Sequence, residues 1–205
     1  SEGLFGYDTM GSLLCRLNSE DMVGTPTTFT VSGTGVYVGT TAGTGSVIYA
    51  VSHCMPAADG AGQMLLAWRS PRAGTMPGTV TALVVDPREV DPVYVATSDG
   101  ILQALSLDGA LQWTFETEAP VRSTPVPDRR TGRIFFGNDA GMPYVLTMDG
   151  QEAFEIEQQH GAGSSIASTL VIVETRQRTD FGTQLVRNYY YGTESGAIYR
   201  IVTRQ

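Results

Sequence analysis

The sequence predicts an all-β fold, and three observations carry that expectation. Short apolar runs alternate with turn clusters rich in Gly, Asn, Asp and Ser. No long stretch carries the apolar spacing of a helix. Four seven-residue segments are versions of one another: Tyr37-Val-Gly-Thr-Thr-Ala-Gly43, Tyr94-Val-Ala-Thr-Ser-Asp-Gly100, Phe135-Phe-Gly-Asn-Asp-Ala-Gly141 and Tyr190-Tyr-Gly-Thr-Glu-Ser-Gly196. Each reads as an apolar strand, a small residue, a polar turn and a closing glycine. Internal repetition of this kind sets the architecture before any single residue is interpreted.

The elements around each heptad follow in a fixed order. A strand precedes it, in turn Thr27–Val31, Val80–Val85, Ser123–Val126 and Ser168–Val173. A strand follows the closing glycine, then an Asp-Gly turn and a further strand. The clearest copy is Ile101–Gly109 with Ala110–Phe115, and another is Pro143–Gly150 with Glu152–Ile156. Asp-Gly between apolar runs marks a hairpin, because the turn needs positive φ. At the N-terminus Leu4–Gly11 and Leu13–Leu17 read as the last two strands of such a unit, and Ala197–Val202 reads as a third strand. The repeat is therefore four antiparallel strands, A to D, which is the blade of a β-propeller, with about four blades present in one domain over residues 1–205. A plain antiparallel sandwich explains the alternation but not four aligned heptads.

Composition narrows the function. The net charge is −8, which disfavours wrapping nucleic acid, since no basic stripe is available to displace counterions. All 13 basic residues are arginine, so Schiff-base chemistry through lysine is excluded. Apolar residues make up 41%, enough for a sizeable core without disulfide staples. No apolar run is long enough to span a bilayer, and no signal peptide opens the chain. Cys15 and Cys54 either form one disulfide or are two buried thiols, and the buried-thiol reading is preferred.

The stretch Val93–Phe115, with the following Ala119-Pro-Val-Arg-Ser-Thr-Pro-Val126, resembles the pyrroloquinoline-quinone-like propeller repeat. The resemblance implies a ring of seven or eight blades. It also implies that a strand-D aromatic docks between neighbouring blades, a place held by Trp68 and Trp113 and, in the next copy, by Phe154. With about four blades, three resolutions stand: the chain is a fragment, it pairs with another copy or a second subunit, or it closes as a small ring; completion by missing sequence or by a partner is preferred. Quinoprotein dehydrogenases of similar fold need a tryptophan floor, calcium ligands, a catalytic aspartate and commonly adjacent cysteines. Here there is no Cys-Cys pair, and both tryptophans sit at docking positions.

Three insertions exceed the lean repeat: Ser52–Gln63 between strands C and D, and Asp86–Pro92 and Glu174–Asn188 between strands A and B, the last reading as an extended hairpin. Both kinds of connection emerge on one face of a blade, which makes that face the candidate partner surface. Its candidate residues are His53, Arg88, Arg176, Arg178 and Phe181. The two histidines, His53 and His160, lie in different repeats without metal-ligand spacing. Asp86, Glu89 and Asp91 read as a proline-bracketed turn, and Glu155 and Glu157 as the solvated side of a strand. No nucleophile elbow and no phosphate loop appears.

The expectation is thus a scaffold without catalytic, cofactor or metal residues, which binds a protein partner. The resemblance implies an extracytoplasmic bacterial setting in the periplasm or at the cell surface. It points to the non-catalytic type, similar to the propeller lipoprotein of outer-membrane barrel assembly. The alternatives are a fragment of a quinoprotein oxidoreductase, and a sensor or adhesin ectodomain that binds saccharide or cell wall. In the latter reading Tyr189, Tyr190 and Tyr191 are the aromatics to test, although one or two of them must face the core.

Overall fold

The computed structural model describes residues 3–18, 21–57, 60–85, 92–153, 164–179 and 182–201, and all regular structure among them is β. The strands in chain order begin with β1 (Gly3–Tyr7), β2 (Leu13–Asn18), β3 (Thr25–Ser32), β4 (Gly35–Ala42), β5 (Gly45–Val51), β6 (Met55–Ala57), β7 (Gly60–Gln63), β8 (Leu66–Ser70) and β9 (Met76–Pro77). They continue with β10 (Val80–Val85), β11 (Val93–Thr97), β12 (Ile101–Leu105), β13 (Leu111–Glu116), β14 (Val126–Asp128), β15 (Arg133–Gly137) and β16 (Pro143–Thr147). The last are β17 (Val171–Thr179), β18 (Gly182–Gly192) and β19 (Ile198–Ile201).

These strands form five sheets. The first runs β1-β2-β7-β6, the second β3-β4-β5-β8 with β9 on β5, and the third β10-β11-β12-β13. The fourth runs β14-β15-β16, extended by a bridge from Leu146 to Glu152, and the fifth β17-β18-β19. Within the second to fifth sheets the strands follow chain order and pair antiparallel, as short connections between neighbours dictate. Four heptads supply β4, β11, β15 and β18, one in each of the second to fifth sheets. Strand A of the fourth sheet starts at Val126 rather than Ser123, because Ser123 is used differently: its hydroxyl donates to Gly137 O at 2.8 Å and accepts from Gly137 N at 2.7 Å.

Each sheet buries one face on the next, and the alternation along every strand decides which residue serves which interface. Val36 and Val38 point toward the first sheet, whereas Tyr37 between them enters the core shared with the third. Tyr94 and Phe135 repeat Tyr37 in the two interfaces that follow. The small third residue of the heptad is explained by the same packing. A methyl group on Gly137 would come within 2.5 Å of Ile166, and one on Gly39 within 2.9 Å of Val80. Serial stacking of antiparallel sheets with this register is the β-propeller arrangement.

The strand-D tryptophans cross from one sheet to the next. Trp68 donates its indole N–H to Leu107 O at 2.7 Å, and Trp113 donates to Met148 O at 3.0 Å. Each acceptor lies in the Asp-Gly turn of the following sheet, and each ring lies on the turn's glycine. Gly109 and Gly150 have φ of +84° and +82°. A Cβ there would stand 2.6 Å from the Trp68 ring and 2.5 Å from Trp113. Glycine is therefore required twice over, for the backbone conformation and for the approach of the ring. Phe154 lies outside the described residues.

Between the first and second sheets a covalent bond takes the tryptophan's place. Cys15 pairs with Gly6 as Trp113 pairs with Ala104, so it holds the equivalent strand-D position. It is disulfide-bonded to Cys54, with 5.6 Å between the Cα atoms. The buried-thiol expectation is overturned, although Cys15 is fully buried. The reason is tertiary. The insertion after β5 folds back as the β6–β7 hairpin and joins β2 in parallel, Cys15 opposite Gly62 and Arg16 opposite Gln63. That return carries Cys54 to Cys15 across the gap between sheets, which linear spacing does not reveal.

Candidate functional surface

The A–B and C–D connections all leave the sheets at one end, because neighbouring strands run antiparallel. The longest of them is the β17–β18 hairpin, whose register runs unbroken from Val171 opposite Tyr190 to Thr179 opposite Gly182. Its first strand carries Arg176 and Arg178, both exposed.

The base of this hairpin is anchored by ionised side chains. Asp128, at the end of β14, is buried. It accepts a hydrogen bond from Tyr189 Oη at 2.9 Å, pairs with Arg187 and caps its own turn through Arg130 N at 3.1 Å. Arg187 also donates through Nε to Glu174 at 2.8 Å, and Arg130 reaches the same carboxylate at 2.6 Å. Burial works to raise the Asp128 pKa, but the hydrogen bonds from Arg187 and Tyr189 outweigh it and hold the carboxyl below its usual range. Glu174 is lowered chiefly by its bond from Arg187. Burial alone would weaken the charge on Arg187, yet its two carboxylate partners hold the proton more firmly than usual. Burial raises the Tyr189 hydroxyl, and Asp128 adds to the rise. The arrangement is a charge clamp between the fourth and fifth sheets. Asp128 holds Arg187 through one oxygen and Tyr189 through the other, and Glu174 Oε1 accepts from both arginines.

His53 sits at the same end, exposed, with Nε2 2.9 Å from Gly33 O in the β3–β4 turn. The segment after it is not a free loop, because β6 and β7 belong to the first sheet. Arg88 and Phe181 lie outside the described residues, as do His160, Glu155, Glu157 and the Asp86–Asp91 cluster. Tyr189 and Tyr191 are buried and Tyr190 is half-buried. Among the described residues no group of three His, Cys, Asp or Glu side chains is placed to hold a metal, and no helix is long and apolar enough to cross a membrane. A shallow depression of about 420 Å³ lies beside Trp68, lined also by Ala67, Arg69, Arg72 and Asp108. Sequence reasoning singled out neither Asp128 nor Arg187, and it took Glu174 only as the start of an insertion and Tyr189 only as an aromatic to test against saccharide. Arg187 stands 59 positions from Asp128, and no local pattern couples them.

No protein-family model matches the chain, and no curated protein sequence matches it. Solved structures do. BamB from Moraxella catarrhalis superposes with a TM-score of 0.59 at 17% identity, over 93% of this chain and 49% of that one. Sqt1 from Saccharomyces cerevisiae gives 0.67 at 13% identity, over 95% and 51%. The computationally designed Ika4 protein gives 0.62 at 14% identity, over 93% and 98%. The chain thus spans about half the length of BamB and Sqt1, and nearly all of Ika4. At these identities the likeness is one of fold, and the fold is the β-propeller.

Proposed function

We propose that the chain is a non-catalytic propeller scaffold of the pyrroloquinoline-quinone-like type, which binds a protein partner in an extracytoplasmic bacterial setting. The observation that carries this reading is the β17–β18 hairpin, an elaboration whose exposed arginines project from a base clamped by Asp128, Glu174 and Arg187. A projecting loop on a fixed frame is how binding surfaces are built. Arg176 and Arg178 supply paired donors for carboxylates of a partner, and Arg88 and Phe181 belong to the same face by their position in the repeat. The Cys15–Cys54 disulfide supports an oxidising compartment. The indole N–H groups of both tryptophans are engaged in contacts between sheets, which argues against a quinone floor built from them.

The test is photo-crosslinking from position 178 in cells, compared with a variant carrying Arg176→Glu and Arg178→Glu. A discrete protein adduct, lost in the charge-reversed variant, is the expected result. Absence of any adduct, together with a saturable absorbance change on titration with quinone and calcium, would sink the proposal.

A further inference from the structure

Arginines gather where the A–B ends of the fourth and fifth sheets meet. The β14–β15 connection carries Arg129 and Arg130, with Arg133 opening β15, and the β17–β18 hairpin carries Arg176, Arg178 and Arg187. That places six of the chain's 13 basic residues in two neighbouring connections. The carboxylates among the described residues there are Asp128 and Glu174. Both are committed to Arg187, and Glu174 also to Arg130. Strand alternation sets the arginines on one side. Ile172 of β17 and Phe135 of β15 pack in the core between the two sheets. Glu174, Arg176 and Arg178 share the side of Ile172, and Arg133 shares that of Phe135. Arg187 bridges Asp128 to Glu174, so the two connections are held in a fixed relation. The surface does not depend on what lies beyond the fifth sheet. A further sheet stacked there would lie against Val171 and Val173, which are exposed on the opposite side of β17. The B–C turns, at the other end of the stack, carry Asp99, Asp139 and Glu194 instead.

We infer that this surface takes an acidic segment of the protein partner, an extended stretch with Asp or Glu at alternate positions. Arg176 and Arg178 lie two residues apart on one strand, so their stems are about 7 Å apart, the spacing of every second side chain in an extended peptide. The guanidinium fork pairs a carboxylate through two N–H groups, which a bare ammonium cannot do. Among the described residues neither arginine is held in an ion pair, so both forks are available to carboxylates of a partner. Asp180, at the hairpin tip, lies outside the described residues. Arg130, with its side chain 62% exposed, continues the surface onto the fourth sheet. A nucleic acid or an anionic bilayer is disfavoured. Each presents charge over an area far wider than the patch and would bring it against a protein of net charge −8. A short acidic segment need contact only the arginines. The inference rests on the protein-binding reading above and adds to it the fourth sheet's turn and the chemistry of the partner.

The test titrates the whole protein into a fluorescein-labelled peptide of alternating Glu and Thr. Saturable anisotropy that weakens with added salt is expected, and no binding of the matching peptide of Gln and Thr. Arg176→Gln with Arg178→Gln should weaken binding about tenfold, and Arg130→Gln about threefold, as exposed charge pairs are lost. Thermal unfolding of each variant should stay close to the parent's, which separates lost binding from lost fold. No binding of the Glu peptide, equal binding of the Gln peptide, or affinity indifferent to either variant would each overturn the inference. Tighter binding of a single-stranded oligonucleotide, or of vesicles containing phosphatidylglycerol, would overturn it in favour of a nucleic acid or a membrane. Crosslinking from position 178 in cells separates this inference from the reading beneath it. An adduct whose joined partner segment is rich in Asp and Glu is expected; one whose segment lacks them would overturn the acidic segment and leave the protein-binding reading standing.

Discussion

Replacing Gly150 by alanine tests the inter-sheet lock with a built-in control. Two separate costs are expected. At φ of +82° an L-residue is strained, which costs about 1 kcal/mol. The new Cβ would also stand 2.5 Å from the Trp113 ring, with further ring atoms at 2.8 and 2.9 Å. Relief requires the indole to move, which gives up its bond to Met148 O at 3.0 Å and part of its packing on the fourth sheet. That adds about 1 kcal/mol for the hydrogen bond and about 1–2 kcal/mol for the displaced ring. Gly150→Ala should therefore cost about 3–4 kcal/mol in all. Gly132 has φ of +66° with nothing within 4 Å of its notional Cβ, so Gly132→Ala should cost only the strain, about 1 kcal/mol. In a Trp113→Ala background the Gly150 substitution should likewise fall to about 1 kcal/mol, a coupling of about 2–3 kcal/mol in the double-mutant cycle. The assay is urea unfolding by far-ultraviolet circular dichroism, with unchanged slope required for comparison. Equal costs at positions 132 and 150, or a coupling near zero, would refute the docking of the tryptophan on its neighbour's turn.

Other outcomes follow from the same geometry. The unreduced, denatured protein should take up no iodoacetamide. Replacing Cys15 and Cys54 with serine should destabilise it by about 3–4 kcal/mol, given the 39-residue separation the bond closes, and free thiols in material from an oxidising compartment would contradict the assignment. Arg187→Met leaves a buried carboxylate without its cation and should cost about 3–5 kcal/mol by denaturant titration; a cost below about 1 kcal/mol would show that the clamp bears no weight. Because the folded Asp128 pKa is depressed, its stabilisation is present above the ordinary carboxylate range and is lost as pH falls through the folded value. Asp128→Asn should flatten that acid-side decline in midpoint against pH, and a decline as steep as the parent's would assign it to other carboxylates. Leu83 of β10 is buried opposite Val95, whereas Phe29 holds the same place opposite Val38 one repeat earlier and is exposed, so Leu83→Lys should unfold the protein or lower its midpoint steeply and Phe29→Lys should have a mild effect.

The heptads carried the architecture because their cause is local. Tyr37, Tyr94 and Phe135 are aromatic since each fills the core of the following interface. The residue two positions on is Gly or Ala since the neighbouring sheet leaves no room for more. The Asp-Gly turns were legible for the same reason, as positive φ is written in the residue type. The surface was legible only in part. The A–B and C–D insertions could be assigned to one end from strand alternation. That β6 and β7 would leave their own blade and extend the first sheet could not, because β7 pairs with β2, which lies far upstream in the chain.

By itself the sequence determined that this is a stack of four-stranded repeats, that Asp-Gly turns close its outer hairpins, and which strand positions alternate between one neighbour and the other. These are properties of single strands and turns, fixed by side-chain period and backbone sterics. Only the tertiary structure decided that Cys15 stands where a docking tryptophan stands elsewhere and is bonded to Cys54. It likewise decided that Arg187 joins Asp128 to Glu174, and that Phe29 is bare where Leu83 is covered. Each of these depends on which sheet lies against which. Contact between sheets arises from packing across the stack, where distance along the chain carries no information.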